Sequence, residues 1–340
     1  MKAALFRAPN QPLSLEEIPT PKPGPGEILM KVVACGVCHS DLHYIDHGVK
    51  TFKAPPLVLG HEASGYVTAV GAGVRSPKEG DAILLPATYG CGACFYCRTG
   101  RENICANLKM YGNDVDGSFA EYVVASAKDT VPVPKEISLE NASIIADAIS
   151  TPYYAVKHRA QVRPGDTVAV VGCGGMGINA VQAAAASGAR VIAVDLSPQR
   201  LQVAKQLGAA ATLNPSEHER PAKALRELAG GGVDIALEAI GKPQTIRLAF
   251  DSLRKGGRLC ILGYCSEDVS LPASRIMYLE MEVVGSLGCR VVDFPPLLEL
   301  VRLGKIQLEP IVTGKLPLHE INKALDNTRQ GVGLRTLVLP

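Results

Sequence analysis

The chain has 340 residues, 47% of them hydrophobic and 20% charged, which is too long for one small core and suggests two domains. Its net charge of +2 comes from interspersed signs, without the basic face or stripe that marks a nucleic-acid binder. No stretch approaches the roughly eighteen unbroken apolar residues of a membrane span. The start, MKAALFRAPNQP, has no apolar signal-peptide core, so the expectation is a cytoplasmic protein whose ten cysteines are thiols or metal ligands.

Residues 1–148 read as irregular β structure. Short apolar runs at 27–35 (EILMKVVAC), 63–71 (ASGYVTAVG) and 81–87 (DAILLPA) lie between Gly/Pro turn signals. Two stretches here hold metal-ligand residue types, CGVCHSDLH (35–43) and GHEASG (60–65). Cys38, His61 and Glu62 are potential ligands, with Ser40, Asp41 and His43 beside them. Spacing alone leaves a metal site and a core thiol with solvated imidazoles equally open.

The next stretch, YGCGACFYCRTGRENIC (89–105), is more specific. Cys91, Cys94, Cys97 and Cys105 follow C-x2-C-x2-C-x7-C. Four soft ligands so close together suit tetrahedral zinc with no position left open, which is a structural site. A redox C-x-x-C needs only two cysteines near the start of a helix, and four unliganded thiols on a polar loop would oxidise. A structural zinc does no chemistry, so any reaction needs a second centre.

Near residue 150 the texture changes. DTVAVVG (166–172) is a buried strand, GGMGINAVQAAAASG (174–188) a helix and RVIAVD (190–195) a strand. SPQRLQVAKQLGA (197–209) is a helix with Ser197 as N-cap and Pro198 at the first helical position. Strands at 233–241, 258–263 and 282–287, with a helix at about 243–254, continue the alternation and predict a doubly wound parallel sheet. The last fifty residues are mixed and end in the strand LRTLVLP.

Within VGCGGMG (171–177), Gly172, Gly174 and Gly177 form G-x-G-x-x-G, with Gly175 and Met176 completing the loop. Gly172 allows the tight turn, Gly174 lets the backbone approach a pyrophosphate, and Gly177 packs the helix close to the sheet. Asp195 ends the following strand, where a carboxylate accepts from both ribose hydroxyls; a 2′-phosphate would meet that charge unfavourably, which favours NAD over NADP. Arg200 lies nearby in sequence and could serve either cofactor. Cys35, Cys173, Cys260, Cys265 and Cys289 read as small core or near-core residues.

Taken together, CGVCHSDLH, GHEASG, the four-cysteine loop, GCGGMG and the final GLRTLVLP resemble, in order and approximate spacing, the zinc-dependent medium-chain alcohol dehydrogenase family. The resemblance covers essentially the whole chain. It implies an α/β architecture: a GroES-like β-rich catalytic domain at 1–148 with 288–340, carrying both zinc sites, and an inserted Rossmann NAD-binding domain at 149–287. The active site would lie in the cleft between them. It also implies two zinc ions per chain, a structural one on the four cysteines and a catalytic one on Cys38, His61 and a third ligand within IIADAISTPYYAV (144–156). Most alcohol dehydrogenases of the family carry a cysteine there. This chain has Asp147, similar to members acting on secondary alcohols or cyclic substrates.

By the same resemblance, Glu62 matches a carboxylate that can approach the metal, and Asp41 one that orients His61. Ser40 matches the group that hydrogen-bonds the substrate oxygen, and His43 the far end of a proton relay through the nicotinamide ribose. His39 matches a pyrophosphate contact, Thr151 a nicotinamide contact and Arg335 a late contact to the cofactor phosphates. Ala87 stands near a position often filled by an aromatic, which implies a roomy pocket.

The implied function is zinc-dependent hydride transfer between NAD and a secondary or cyclic alcohol or its ketone. A pathway dehydrogenase of a cyclic hydroxyacyl-CoA thioester and a polyol dehydrogenase are alternatives within the family. Outside catalysis stand a zinc-free NAD-binding protein and a nucleic-acid-binding zinc ribbon. The first would usually lack the cysteine loop and the ligand trio, and the second would need a basic surround. The family forms dimers or tetramers, and this compact chain reads as the tetrameric type.

Overall fold

The strand Glu27–Gly36 is the element on which the first part of the molecule is built. Ile28, Met30, Val32 and Ala34, on one face of the period-two pleat, are all buried. In the computed structural model, which describes residues 1–340, this strand pairs antiparallel with Glu62–Val70, Tyr122–Ser126 and Arg335–Leu339. Ala82–Leu85 and Val131–Pro132 extend the sheet beyond Glu62–Val70, and Val312–Pro317 runs parallel to Arg335–Leu339 at the other edge. A small second sheet orders Ser14–Glu17, Lys2–Phe6 and Leu57–Val58. Phe6, Met30, Leu57, Leu59, Ile83 and Phe119 pack between these layers. The chain divides into two units, Met1–Ser150 with Gly288–Leu303 and Leu308–Pro340, and Thr151–Leu287 with Gly304–Gln307.

The second unit holds six parallel strands in the order Ala209–Leu213, Arg190–Val194, Thr167–Val171, Val233–Glu238, Leu253–Ile261, Glu282–Gly285. The order reverses between Thr167–Val171 and Val233–Glu238, the place where such sheets take dinucleotides. Val171, Ile192, Phe250 and Leu259 are buried in its core. The expected helices settle at Gly177–Ala186, Pro198–Gln206 and Pro243–Ser252. Ser197 caps the second by accepting from Arg200 N–H at 3.3 Å, and Gly208, at φ 109°, turns the chain out of it.

The strand Ala209–Leu213 and the helix Pro221–Leu228 were not anticipated. AAATL has little β-branched character; it becomes a strand because Arg190–Val194 presents an open edge directly beside it. No helix is long and apolar enough to cross a membrane.

Gly172 closes the first turn of the parallel sheet at φ 92°, and a Cβ there would collide with the side chain of Ile240. Gly172→Ala is expected to destabilise the protein by about 2 kcal/mol or more, from the left-handed backbone and the overpacking together. Urea unfolding measures it, and an unchanged midpoint would contradict the packing described.

Candidate active site and metal centres

The strand Glu27–Gly36 delivers Cys38 to the start of the helix His39–Ile45. Asp41, in its first turn, accepts a hydrogen bond from Cys38 N–H at 3.0 Å and so fixes the turn that carries the thiol. Strand pairing sets Glu62 opposite Gly36, where any Cβ would collide with Glu62 Oε2. The bare glycine thus lets the Glu62 side chain fold back toward Cys38. Gly60, at φ 93° and packed against Phe119, makes the bend before His61. Asp147 follows the single turn Ser143–Ala146.

These elements bring one ligand atom each from Cys38, His61, Glu62 and Asp147 within 4.8 Å of one another. His61 Nε2 stands 3.6 Å and Cys38 Sγ 4.0 Å from Asp147 Oδ2. The first is too long for a hydrogen bond. Tetrahedral edges around zinc, with bonds of about 2.0–2.3 Å, run to about 3.3–3.6 Å, so both contacts need only a slight contraction onto an ion. Both ring nitrogens of His61 and both carboxylate oxygens of Glu62 are buried with no hydrogen-bond partner. Native interiors rarely leave such atoms unsatisfied, and a cation among them would satisfy the inward-facing ones. The donor set therefore fits a divalent metal, and one thiolate, one imidazole and a carboxylate suit zinc with a position left open.

The charges around this point agree. Burial opposes protonation of His61, yet Asp147 and then Asp41 outweigh it and push the imidazole well above its ordinary value. A metal at Nε2 would take the place of that proton. Asp41 Oδ1 lies 3.7 Å from His61 Nδ1, close enough to orient the ring. Burial pushes Glu62 up to about 7, against the pull of Arg335.

Arg335 itself is buried, donates to Val37 O at 2.8 Å and lies 3.5 Å from Glu62 Oε1. Sequence reasoning carried no signal for this internal pairing, because it depends on the last strand returning to the first sheet. Ser40 Oγ lies 3.7 Å from Cys38 Sγ, and His39 is exposed on the same turn. His43 Nδ1 is 3.1 Å from Nδ1 of the exposed His47, a partner that sequence reasoning missed although i, i+4 spacing on a helix could have found it. Burial, and then His47, hold the His43 imidazole below its ordinary value.

The four-cysteine loop forms a second cluster, with the sulfurs of Cys91, Cys94, Cys97 and Cys105 within 4.8 Å of one another. Cys94 Sγ is 3.6 Å from both Cys97 Sγ and Cys105 Sγ, close to the edge of about 3.8 Å expected for four sulfurs at 2.3 Å from zinc. Backbone N–H groups of Cys91 and Asn107 donate to Cys105 Sγ at 3.2 and 3.3 Å and fix the sulfur in the cluster. Backbone donors from Cys97 and Ala106 draw Cys94 down to about 6, while desolvation, with neighbouring sulfurs, pushes Cys97 up to about 12. Four thiols so close cannot all ionise without a cation, so these residues fit a closed metal site. Lys128 on Gly90 O, Arg290 on Gly100 O and Val291 N–H on Glu102 hold the loop from outside.

In the second unit, Asp195 is nine-tenths buried and accepts from Cys173 N–H at 2.7 Å and Ser197 N–H at 2.9 Å, which ties the carboxylate across the glycine turn. Around Gly174 the space is open; a Cβ there would find nothing nearer than Arg200 Nη1 at 3.9 Å. Gly177 is packed so tightly that a Cβ would collide with Gly172 O. Gly175 O accepts from Asn179 Nδ2, and Met176 precedes the ten-residue helix Gly177–Ala186 with no side-chain cap. The open turn, the helix start and the fixed carboxylate fit a dinucleotide. Thr151 is buried on the helix Ser150–Tyr154. Of the other cysteines, Cys35, Cys173, Cys260 and Cys289 are buried and Cys265 is half-buried.

A GroES-like β unit with two metal-ligand clusters and a parallel sheet with a dinucleotide turn define a zinc-binding dehydrogenase. Comparison with known proteins gives the same result. Residues 24–135 match the alcohol dehydrogenase GroES-like domain and 175–302 the zinc-binding dehydrogenase family. The chain is 37% identical to an alcohol dehydrogenase of Geobacillus stearothermophilus over 97% of each chain. It superposes on the crystal structure of an NAD-dependent alcohol dehydrogenase with a TM-score of 0.93 at 31% identity, over 100% of both chains. A protein from Sinorhizobium meliloti bound to NADP gives 0.91 at 29% identity, over 100% of this chain and 99% of that one. The chain belongs to the zinc-dependent medium-chain alcohol dehydrogenase family. It is an oxidoreductase acting on alcohols, with zinc and a nicotinamide dinucleotide as its cofactors.

Gly36→Ala should drive Glu62 out of its place beside Cys38. The expected result is metal held about 10- to 100-fold more weakly at the Cys38 cluster, with the four-cysteine cluster unaffected. Competition dialysis against a chelator, followed by metal analysis, reads both; equal retention at the two clusters would contradict the geometry.

Proposed function

We propose that this enzyme oxidises secondary or cyclic alcohols with NAD and reduces the corresponding ketones, using two zinc ions per chain. The observation that carries the reading is the carboxylate of Asp147 within the cluster of Cys38, His61 and Glu62. Cys38, His61 and Asp147 would hold the catalytic ion, and Cys91, Cys94, Cys97 and Cys105 the structural one. When bound, the catalytic zinc supplies Lewis acidity toward the substrate oxygen and the nicotinamide accepts the hydride.

The chain's own groups then do the rest. Ser40 Oγ accepts the substrate hydroxyl proton as it releases its own proton toward His43. His43, with His47 hydrogen-bonded beyond it, exchanges that proton with solvent. Asp41 steadies His61, and Glu62 offers a carboxylate at the metal. His39, Thr151, the turn Gly172–Gly177, Asp195, Arg200 and Arg335 form the proposed cofactor set. Asp195 supports NAD over NADP, because its buried carboxylate would repel a 2′-phosphate.

Ala87 N–H donates to Ala146 O, next to Asp147, so a small side chain stands beside the ligand segment and suits a bulky substrate. Self-association, as a homotetramer, is supported by the open edge strand Glu282–Gly285 with exposed Met277, Tyr278, Val283 and Leu287 around it. Ten free cysteines suit a reducing, cytoplasmic setting.

The test is NADH formation by purified enzyme on primary, secondary, cyclic and polyhydroxy alcohols, with and without a chelator. Chelator-sensitive turnover led by secondary or cyclic alcohols is expected; a preference for primary alcohols would overturn the reading. Silence across the panel with zinc retained would move the assignment to a cyclic hydroxyacyl thioester. Asp195→Gly is expected to improve kcat/KM with NADP relative to NAD at least about tenfold; an unchanged ratio would shift cofactor choice to Arg200.

A further inference from the structure

Glu238, the last residue of the strand Val233–Glu238, is completely buried. Its Oε1 accepts three hydrogen bonds, from Ile240 N–H at 3.0 Å, Gly241 N–H at 2.9 Å and the Thr245 hydroxyl at 2.8 Å. Its Oε2 is equally buried and has no partner. All three donors converge on one oxygen of the side chain, and nothing in the protein faces the other. An enclosed carboxylate oxygen with nothing opposite it is costly for stability alone, so its position in the sheet bears on what it does.

Glu238 is paired in register with Val171, the residue before Gly172, where the strand order reverses. The loop it anchors lies on the glycine turn: Ile240 occupies the space a Gly172 side chain would need, and Ala239 Cβ would come within 3.3 Å of a Cβ at Gly177. A dinucleotide at this reversal has its pyrophosphate at the turn and its adenosine ribose on Asp195, beyond the strand Arg190–Val194. Its nicotinamide half then extends to the other side of the turn, the side of Val233–Glu238. That ring is cationic in the oxidised cofactor and neutral in the reduced one.

We propose that Glu238 sets the balance between oxidised and reduced cofactor: its buried charge favours NAD relative to NADH, while Oε1 holds the loop 239–242 and the first turn of the helix Pro243–Ser252 against the glycine turn. The inference rests on the reading above that the second unit binds NAD. Glu238 is a positioning residue that acts at a distance through charge and through the loop.

Glu238→Gln keeps Oε1 and removes the charge; Thr245→Val keeps the charge and removes one anchor. Dissociation constants of NAD and NADH are measured on the zinc-loaded enzyme by calorimetry and NADH fluorescence, with circular dichroism to confirm the fold. Glu238→Gln is expected to raise the ratio of the NAD to the NADH constant about fivefold. Thr245→Val is expected to raise both constants together and leave the ratio alone. The proposal is overturned if Glu238→Gln leaves the ratio within about twofold of wild type, or if Thr245→Val moves it as far. Failure of the wild-type enzyme to bind either dinucleotide would instead overturn the NAD reading, and this inference with it.

Discussion

Negative charge gathered in confined places is the constraint around which the first unit is arranged. Four cysteine sulfurs share one small volume, and a thiol, an imidazole and two carboxylates share another. Without a cation each group would be an electrostatic liability: thiols that cannot ionise together, buried carboxylate oxygens with no donor, ring nitrogens with no partner. With a divalent ion the same closeness becomes the favourable term. The surrounding fold makes sense as scaffolding for that exchange. Gly36 and Gly60 clear space, Asp41 fixes the turn that carries Cys38, and Arg335 offsets Glu62 from behind.

The second unit solves a different problem, binding a large anion with backbone. Gly172 and Gly177 are demanded by sterics, whereas Gly174 is demanded by nothing inside the protein, since a side chain there would meet only open space and Arg200. A glycine with no internal reason to be one is the mark of a surface that something else must approach. Asp195, pinned by two backbone donors, holds a fixed carboxylate at the end of the strand beside that turn, and the proposed preference for NAD rests on it.

Much of this was legible in the sequence because the rules involved are local. C-x2-C-x2-C-x7-C confines four ligands to one loop, and a buried strand running into G-x-G-x-x-G with an acid after the next strand describes a turn whose geometry is nearly obligatory. Asp147 was harder. Nothing local distinguishes it from a capping carboxylate, and only the resemblance pointed to its segment; the fold shows it 3.6 Å from His61. What escaped was what long-range pairing creates. The strand Ala209–Leu213 exists because a neighbour offers an edge, Arg335 meets Glu62 because the C-terminal strand returns to the first sheet, and Glu238 matters because of the strand beside it.

The proposed reaction depends most directly on two chemically different zinc centres in one chain. X-ray absorption at the zinc edge of the intact enzyme, with metal content measured on the same sample, tests this. The predicted result is two zinc ions per chain sharing the five sulfurs of Cys38, Cys91, Cys94, Cys97 and Cys105, with nitrogen and oxygen completing one of them. One zinc per chain, or a spectrum with sulfur ligands alone, would contradict it.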